Sequence, residues 1–313
     1  MIRLIATRLV QMIFLLIGIS FIVFLSMHIT PGDPATIIAG TEASAETIEQ
    51  IRINMGLNDP ILVQYGNYML GLLQGDLGYS YQSSQDVAQA LFSRFPTTLK
   101  LTISSIIVAT FIGVTMGIVS ALKQNTWLDY ASTTTALVGV SIPNFWFGTV
   151  LILLFSVNLQ WFPVTGMSNP WYTLQGFKEM VLPSITLGTA SAAMIARMTR
   201  SEMLEVINAD YIRTARAKGV KESKVILLHA FRNAMISVLT VVGLNFGILL
   251  GGTIIVEQVF AINGLGRLMI DAISQRDSPM VQGGVLLIAT LFVVVNLIVD
   301  LLYAMVDPRI KYE

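Results

Sequence analysis

The sequence predicts an all-α membrane protein with six transmembrane helices, and three observations lead to this fold class. Hydrophobic residues make up 54% of the 313 residues and charged residues only 12%, whereas a soluble domain carries roughly 25% charged residues. Several long windows contain no charged residue, and each is close to or above the roughly 20 residues that a helix needs to cross a membrane. Lys and Arg are concentrated in alternate connecting segments, which is typical of a chain that crosses a membrane repeatedly.

Six charge-free windows define the predicted spans. The flanking charged residues are Arg8 and Asp33, Lys100 and Lys123, Asp129 and Lys178, Glu179 and Arg197, Arg232 and Glu257, and Asp277 and Asp300. The third window is too long for one helix, so we interpret residues 130–157 as the span and the Trp- and Tyr-containing residues after it as an outer segment at the membrane interface. The apolar run after Arg3 and Arg8 could also belong to a signal peptide, but no convincing cleavage site follows it, which favours an uncleaved first span.

The basic residues also predict which side of the membrane each segment faces. If the N-terminus is inside, most of the 19 Lys and Arg residues fall on the inner side, including the cluster within residues 197–232. This distribution agrees with the positive-inside rule. Residues 31–97, on the outer side, are instead rich in Asp and Glu. Both termini are therefore predicted to be cytoplasmic.

The chain divides into three predicted parts. Residues 1–30 form the cytoplasmic N-terminus and the first span, residues 31–97 an extracytoplasmic domain, and residues 98–313 a transmembrane core with an inner loop at about 200–235. The outer domain opens with the turn signal Pro31-Gly-Asp-Pro34, because proline cannot continue a helix. A short amphipathic helix is predicted to follow from about Ala45 to Met55, with Ser44 as its N-cap.

The inner loop carries a local pattern of its own. Tyr211–Lys218 is predicted to be helical with Asp210 as its N-cap, and Gly219 suits a left-handed turn at the C-terminal end of that helix. A second helix is predicted over residues 221–231. Two alanines in the first helix are small enough to let another backbone approach closely. From the pattern alone the loop is equally well interpreted as a docking element or as a solvated basic segment that follows the positive-inside rule.

Several kinds of chemistry are disfavoured by the residues that are present. The chain contains no cysteine, which removes disulfides, thiolate metal sites and a cysteine nucleophile. His28 and His229 are predicted to lie on opposite sides of the membrane, which argues against a shared metal site and against a serine-protease arrangement. No Gly-x-x-x-x-Gly-Lys-Ser/Thr motif occurs, so the chain does not bind ATP by that route.

The predicted spans lack the ionisable residues that proton- or sodium-driven carriers usually keep inside the membrane. Glu257, at the end of the fifth window, could be a gate or substrate residue, or could only anchor a helix end. Asn144, directly after Pro143, could mark a broken helix beside a cavity, or only a packing kink. Glycine pairs such as Gly113 and Gly117 suit close helix packing. Together these features favour a passageway whose energy comes from outside the spans.

Short sequence motifs are distributed along nearly the whole chain. They are Pro31-Gly-Asp-Pro34, Met55-Gly-Leu, Gly75-Asp-Leu-Gly78, Pro96-Thr-Thr-Leu99, Ser141-Ile-Pro-Asn-Phe145, Asp210-Tyr-Ile-Arg-Thr-Ala-Arg-Ala-Lys-Gly219, His229-Ala-Phe-Arg-Asn-Ala234, Gly251-Gly252, Glu257-Gln-Val-Phe260, Gly264-Leu-Gly266 and Asp307-Pro-Arg309. These motifs resemble those of permease subunits of ABC importers, in the branch that transports dipeptides, oligopeptides and nickel. Two positions depart from the family pattern, since Arg213 stands where many such permeases have Glu and Asn263 where Pro is expected. Each segment is a weak signal alone, but their order along the chain makes the resemblance specific.

The resemblance implies a permease that works by alternating access in a bacterial or archaeal plasma membrane. Its partners would be a second related permease, two ATPase subunits, an extracytoplasmic substrate-binding protein and membrane lipid, with no nucleic acid. The chain itself would have no catalytic residue, no metal site and no bound cofactor, because ATP and Mg²⁺ would be held by the ATPase subunits. Short peptides are the expected cargo, and nickel or a metal chelate is the alternative.

The resemblance also assigns site residues. The element that couples the permease to the ATPase would consist of Tyr211, Arg213, Thr214, Ala215, Arg216, Ala217, Lys218 and Gly219. Asn144 and Glu257 are the candidates for the translocation path. A secondary carrier, a membrane enzyme and a structural membrane scaffold remain as other classes; co-purification with an ATPase would exclude the scaffold.

Overall fold

The structure is a computed structural model that describes residues 2–29, 33–40 and 43–306. The described residues are mostly helical. The helices are α1 (Ile2–Ile29), α2 (Pro34–Ala39), α3 (Ala45–Asn54), α4 (Ile61–Leu73), α5 (Val87–Leu122), α6 (Trp127–Ser141), α7 (Asn144–Leu151), α8 (Leu174–Ile207), α9 (Asp210–Ala217), α10 (Glu222–Lys224), α11 (Arg232–Val259), α12 (Leu265–Ser274) and α13 (Ser278–Val306). Two π-helical segments, Ile152–Asn158 and Val225–Phe231, and one short antiparallel pair, β1 (Tyr79–Ser80) and β2 (Gln85–Asp86), complete the secondary structure.

Among the described residues, four helical segments are long and apolar enough to cross a membrane. They are Thr7–Ser26, Val87–Leu122, Leu174–Ile207 and Ser278–Val299. Two bent pairs of helices pass the same test: Trp127–Ser141 with Asn144–Asn158, bent by 105°, and Glu222–Met235 with Ser237–Gly251, bent by 52°. If each bent pair is one span, the structure has up to six candidate spans. The prediction of a multi-spanning helical protein is confirmed, and each predicted window overlaps one of these segments.

The third predicted span is a broken helix rather than one continuous helix over residues 130–157. Ile142 ends α6 in an extended conformation, with φ −81° and ψ 125°, and Pro143 precedes the first residue of α7. Proline disfavours the helical conformation of the residue before it and has no N–H to donate. The helix is therefore interrupted at this motif, and its two halves form either a broken span or a re-entrant loop.

Two compact units account for the described residues. The first comprises the residues up to Ala6, Pro96–Arg267 and the residues from Leu291, and the second comprises Thr7–Phe95 and Leu268–Thr290. Helix α5 runs through residue 97, where the sequence predicts the end of the extracytoplasmic domain. The position of the membrane surface near residue 97 therefore stays a prediction.

In the first unit, α8 is the central helix and packs against α6, α7 and α11. Helix α5 also contacts it at two glycines, where the backbones approach so closely that a side chain would not fit. A Cβ atom on Gly113 would lie 2.6 Å from the carbonyl oxygen of Ala192, and one on Gly117 would lie 2.6 Å from that of Ala196. These glycines therefore have the packing role that their i, i+4 spacing predicts.

In the second unit, α4 packs against α1 through aromatic side chains. The ring of Tyr65 contacts those of Phe21 and Phe24, with centroids 5.2 and 5.4 Å apart. The Tyr65 hydroxyl also lies 2.9 Å from that of Ser20, which is buried. Of the three rings, only that of Phe24 is buried. Aromatic pairs in such edge-on or tilted arrangements stabilise helix contacts beyond their area alone.

The short helix predicted in the outer domain is α3, which begins at Ala45 and ends at Asn54. The Ser44 hydroxyl accepts a hydrogen bond from the backbone N–H of Thr47 at 3.2 Å, so the predicted N-cap is confirmed. Arg52 near the end of α3 forms an ion pair with Asp33. The hydrogen bond from Arg52 lowers the pKa of the Asp33 carboxyl. It also joins the start of α2 to α3.

Candidate functional site

Helix α9 is the centre of the inner loop. It runs from Asp210 to Ala217, one residue away from the predicted limits at each end. The prediction that Asp210 is the N-cap is wrong. Ala209 occupies that position with an extended backbone, and Asp210 is the first helical residue, where its negative charge still favours the helix dipole.

One face of α9 is buried against its own chain. Ile212 is fully buried and Ala215 is only 9% exposed, and both pack in a cluster that includes Met203, Val225 and Ala230. Residues three apart on a helix share a face, so these two side chains fix how α9 lies on the unit. From the sequence, the small side chain of Ala215 is interpreted as a means of letting a partner approach closely. That reason needs correction, because its methyl group points into the chain's own core.

The opposite face of α9 is exposed. It carries Tyr211, Arg213, Thr214, Arg216, Ala217 and, at the C-cap, Lys218. The Tyr211 hydroxyl accepts a hydrogen bond from the side-chain amide of Asn233 at 2.9 Å, which ties this face to the first turn of α11. The buried face of α9 and the hydrogen bond of Tyr211 together hold the exposed face in a fixed orientation.

A glycine turn ends α9. Gly219 has φ +73°, its N–H donates to the carbonyl of Arg216 at 2.9 Å, and the N–H of Val220 donates to that of Ala215 at 3.3 Å. These two bonds form a Schellman motif, in which the left-handed residue is usually glycine. The predicted left-handed turn at Gly219 is confirmed.

The basic side chains of α9 are not equivalent. Arg216 forms an ion pair with Glu222 at 2.8 Å, which leaves its charge largely compensated within the loop. Arg213 lies 3.7 Å from Asp210, and both side chains are highly exposed, so this contact is weak. Arg213 and Lys218 are therefore the positive charges that this face offers most freely.

The second helix predicted in the loop differs from what the structure contains. Only Glu222–Lys224 is α-helical, and Val225–Phe231 is a π-helical segment that leads directly into α11. Val225 and Ala230 of this segment are fully buried beside α9. The wider turn brings both side chains to the same cluster, an outcome that the helical period of the sequence does not reveal.

Glu257, one of the two candidates for the translocation path, is enclosed by hydrogen-bond donors from two helices. Its carboxylate is fully buried and accepts hydrogen bonds from the Thr98 hydroxyl at 2.7 Å and from the N–H of Arg267 at 3.0 Å. The Thr98 hydroxyl in turn accepts one from the N–H of Leu265 at 2.8 Å. Glu257 thus binds the start of α12 to α5, which supports the alternative that it anchors a helix end.

Gly264 explains why this carboxylate is enclosed so tightly. A Cβ atom there would lie 2.4 Å from the carboxyl atoms of Glu257. The motifs that contain Thr98, Glu257 and Gly264 are therefore in contact, although they are far apart in sequence. Asn144, the other path candidate, is half-buried in the first turn of α7 beside the break in the third span.

A partly buried ion pair that sequence reasoning missed joins α6 to α8. The guanidinium group of Arg200 donates two hydrogen bonds to the carboxylate of Asp129, both at 2.8 Å. Asp129 is buried and also accepts hydrogen bonds from the Ser120 hydroxyl and, at 3.0 Å, from the N–H of Asn125. The pair bounds a cavity of about 410 Å³ between α5, α6 and α8. No local sequence signal pairs two residues that are 71 positions apart.

No group of three or more His, Cys, Asp or Glu side chains is arranged to hold a metal ion in the part of the chain that the structure describes. The motif Asp307-Pro-Arg309 lies outside the described residues, as do Pro31 and Gly32 of the first motif.

Comparison with known families gives two matches that together cover most of the chain. Residues 113–312 match the family described as binding-protein-dependent transport system inner membrane component, and residues 1–102 match the N-terminal family of the same membrane components. The arrangement agrees with the resemblance found in the sequence motifs.

Individual proteins are similar over their full length. The dipeptide transport system permease protein of Alkalihalophilus pseudofirmus is 45% identical over 326 residues, which cover 97% of this chain and 98% of that protein. The glutathione transport system permease protein of Escherichia coli K12 is 46% identical over 313 residues, which cover 100% of both. Among solved structures, an inward facing conformation of the MetNI methionine ABC transporter has a TM-score of 0.58 at 18% identity and covers 70% of this chain and 97% of its own. This last likeness concerns the fold.

Proposed function

The chain belongs to the family of binding-protein-dependent transport system inner membrane components, and on this premise we propose that it is the permease subunit of an ATP-driven importer of short peptides. The observation that carries the proposal is the full-length identity of 45–46% with permeases named for dipeptide and glutathione transport. Both of those cargoes are short peptides, which favours peptides over nickel or a metal chelate. The permease would provide the path and leave ATP hydrolysis to separate subunits.

The proposed partners are a second related permease, two ATPase subunits that hold ATP and Mg²⁺, and an extracytoplasmic binding protein that delivers the peptide. The exposed face of α9 is the proposed docking element for the ATPase. Its support is a fixed helix with a buried side at Ile212 and Ala215 and an open side with Arg213 and Lys218. A short amphipathic helix that is anchored in this way can transmit a movement of the partner to α8 and α11.

The proposed topology has six spans, both termini in the cytoplasm and residues 31–97 outside. Both bent pairs then count as single spans. The support is the concentration of Lys and Arg in the loop that contains α9, as the positive-inside rule requires.

Reporter fusions test this topology. A reporter that is active only outside the membrane is expected to be active after Ala45 or Gln275 and silent after Lys221 or Glu313. Full-length fusion protein at equal levels, detected by antibody, is the control. Activity at Lys221 would overturn the orientation and, with it, the docking role of α9.

Reconstitution tests the transport function. Proteoliposomes that contain this chain, its partner permease, the ATPase subunits and ATP are expected to take up a labelled dipeptide when the binding protein is present. Omission of any one component is expected to reduce uptake to background, because binding, passage and energy supply reside in different chains. Peptide accumulation by this chain alone would refute the proposal, and so would a complete system that carries nickel but no peptide.

A further inference from the structure

The cavity between α5, α6 and α8 has a polar end and an apolar end. The positions of the lining residues along the three helices show which end is polar and which is apolar. Ser120, Asp129 and Arg200 lie at the end near the α5–α6 connection, and Met116 and Leu137 lie one to two helical turns deeper. A volume of about 410 Å³ falls in the range of roughly 300–1,000 Å³ that is common for small-molecule sites.

One positive charge in this cavity is not compensated. The charge of Arg200 is matched by Asp129, which it contacts at 2.8 Å. Arg197 lies about one helical turn earlier on α8, lines the same cavity and is exposed. Within residues 2–29, 33–40 and 43–306, no carboxylate forms an ion pair with Arg197. The cavity therefore presents a net positive charge toward an entering molecule.

Hydroxyl groups face the same space from α6. Ser132 and Thr133 both line the cavity, and Thr133 is exposed. Neither side-chain hydroxyl has a hydrogen-bond partner among the residues the structure describes. Polar groups inside a span usually face the bundle interior or a water-filled cavity rather than lipid, so this face of α6 is suited to a polar occupant.

We propose that this cavity receives the carboxylate of a short peptide during its passage, with Arg197 as the charged contact and the hydroxyls of Ser132 and Thr133 as hydrogen-bond donors. The inference rests on the proposed peptide-import function and identifies the part of the path that it uses. The deeper apolar wall accommodates an apolar peptide side chain. A single exposed arginine binds a carboxylate weakly, and weak binding is what a transport path requires so that the cargo can leave.

The role of Arg200 in this site is to position rather than to bind. Its side chain is only partly exposed and is held at two points by Asp129. This pair fixes the ends of α6 and α8 relative to each other and so sets the distance between Arg197 and the hydroxyls on α6. Arg197 is therefore the residue whose loss changes binding without removing the ion pair between Asp129 and Arg200.

Thiol labelling tests the proposal directly, because the chain has no cysteine of its own. The variant T133C places one thiol in the cavity, and its modification is followed by mass spectrometry of this chain in the complete purified transporter. Negatively and positively charged methanethiosulfonates are compared. Replacing Arg197 by Gln is expected to lower the ratio of their rates about tenfold, because the local positive potential that attracts the anion is lost.

The matched control is K123Q, which removes another exposed positive charge near the α5–α6 connection but outside the cavity lining. It is expected to leave the ratio unchanged, and R197K is expected to restore it. A dipeptide at millimolar concentration is expected to slow labelling of T133C, whereas the same dipeptide with an amidated C-terminus is not. The binding protein is left out of this assay, so its own selectivity for peptides does not affect the labelling rates.

Three outcomes would overturn the inference. A thiol at position 133 that does not react in the complete transporter would mean that a partner subunit fills the cavity. Equal protection by the dipeptide and its amide would exclude recognition of a carboxylate. Protection by phosphatidylglycerol vesicles but not by dipeptide would assign the site to a lipid phosphate. Failure of the wild-type transporter to import peptides would instead refute the proposed function, and uptake measured in parallel separates the two.

Discussion

Substitution of Gly117 by leucine is expected to prevent the chain from reaching its native packing. A Cβ atom at this position would lie 2.5 Å from the Cβ of Thr199 and 2.6 Å from the carbonyl oxygen of Ala196. Both obstacles belong to α8, the central helix of the unit, and a backbone carbonyl cannot rotate away as a flexible side chain can. The cost is therefore expected to reach or exceed the upper end of the roughly 1–3 kcal/mol that overpacking usually costs.

The measurement is the yield of monodisperse protein in detergent together with its melting temperature. Gly18→Leu is the matched control, because Gly18 is also in a long apolar helix and a Cβ there would meet nothing within 4 Å. We expect the control to resemble the wild type and Gly117→Leu to give little or no folded protein. Equal melting temperatures for the two variants would mean that α5 and α8 do not approach as closely as the structure describes.

Some features of this fold could be predicted because their signals are local. A charge is costly in lipid, so the charge-free windows located the helices that cross or could cross the membrane. The N-cap at Ser44 and the left-handed turn at Gly219 depend on one residue type and its immediate neighbours. The glycine pair at 113 and 117 gave the packing face of α5 through its spacing alone.

Other features depend on contacts between distant residues and could not be predicted. The sequence offers no reason to pair Asp129 with Arg200. Glu257 stood at the end of a charge-free window, where a carboxylate either meets water or is enclosed, and only the position of Thr98 and Gly264 decides between the two. Whether the Ala215 side chain faces the core or the solvent likewise depends on which residues pack against α9.

The error at Asp210 has a different cause. Aspartate is favoured both as an N-cap and in the first turn of a helix, so the residue type alone does not fix the register. A shift of one position separates the two roles. The same ambiguity does not arise at Gly219, because a positive φ is strongly selective for glycine.

Substitution of Gly219 by valine is expected to weaken the binding of the ATPase subunits and to abolish peptide uptake. A side chain at this position meets nothing within 4 Å, but the backbone has φ +73°, which costs a β-branched residue roughly 1–2 kcal/mol. A cost of this size lowers the population of the native turn by a factor of about 5–30. We therefore expect the C-terminal end of α9 to be less well ordered in the variant, while the spans remain intact.

Two further variants separate the turn from the surface of α9. Gly219→Asn is the control, since asparagine tolerates the left-handed conformation, and is expected to keep most of the uptake. Ala217→Trp enlarges the exposed face without entering the core and is expected to weaken docking by steric obstruction. Ala215→Trp is unsuitable for this purpose, because Ala215 is buried and a tryptophan there would disturb the packing of α9 itself.

The assay compares peptide uptake with co-purification of the ATPase subunits, at matched expression of this chain in the membrane. If α9 docks the ATPase, Gly219→Val and Ala217→Trp lose uptake and retain less ATPase, whereas Gly219→Asn behaves nearly as the wild type does. A solvated loop that only sets topology predicts no loss from any of the three, since none changes a Lys or Arg. Normal uptake and normal ATPase recovery in both Gly219→Val and Ala217→Trp would therefore remove α9 from the coupling mechanism.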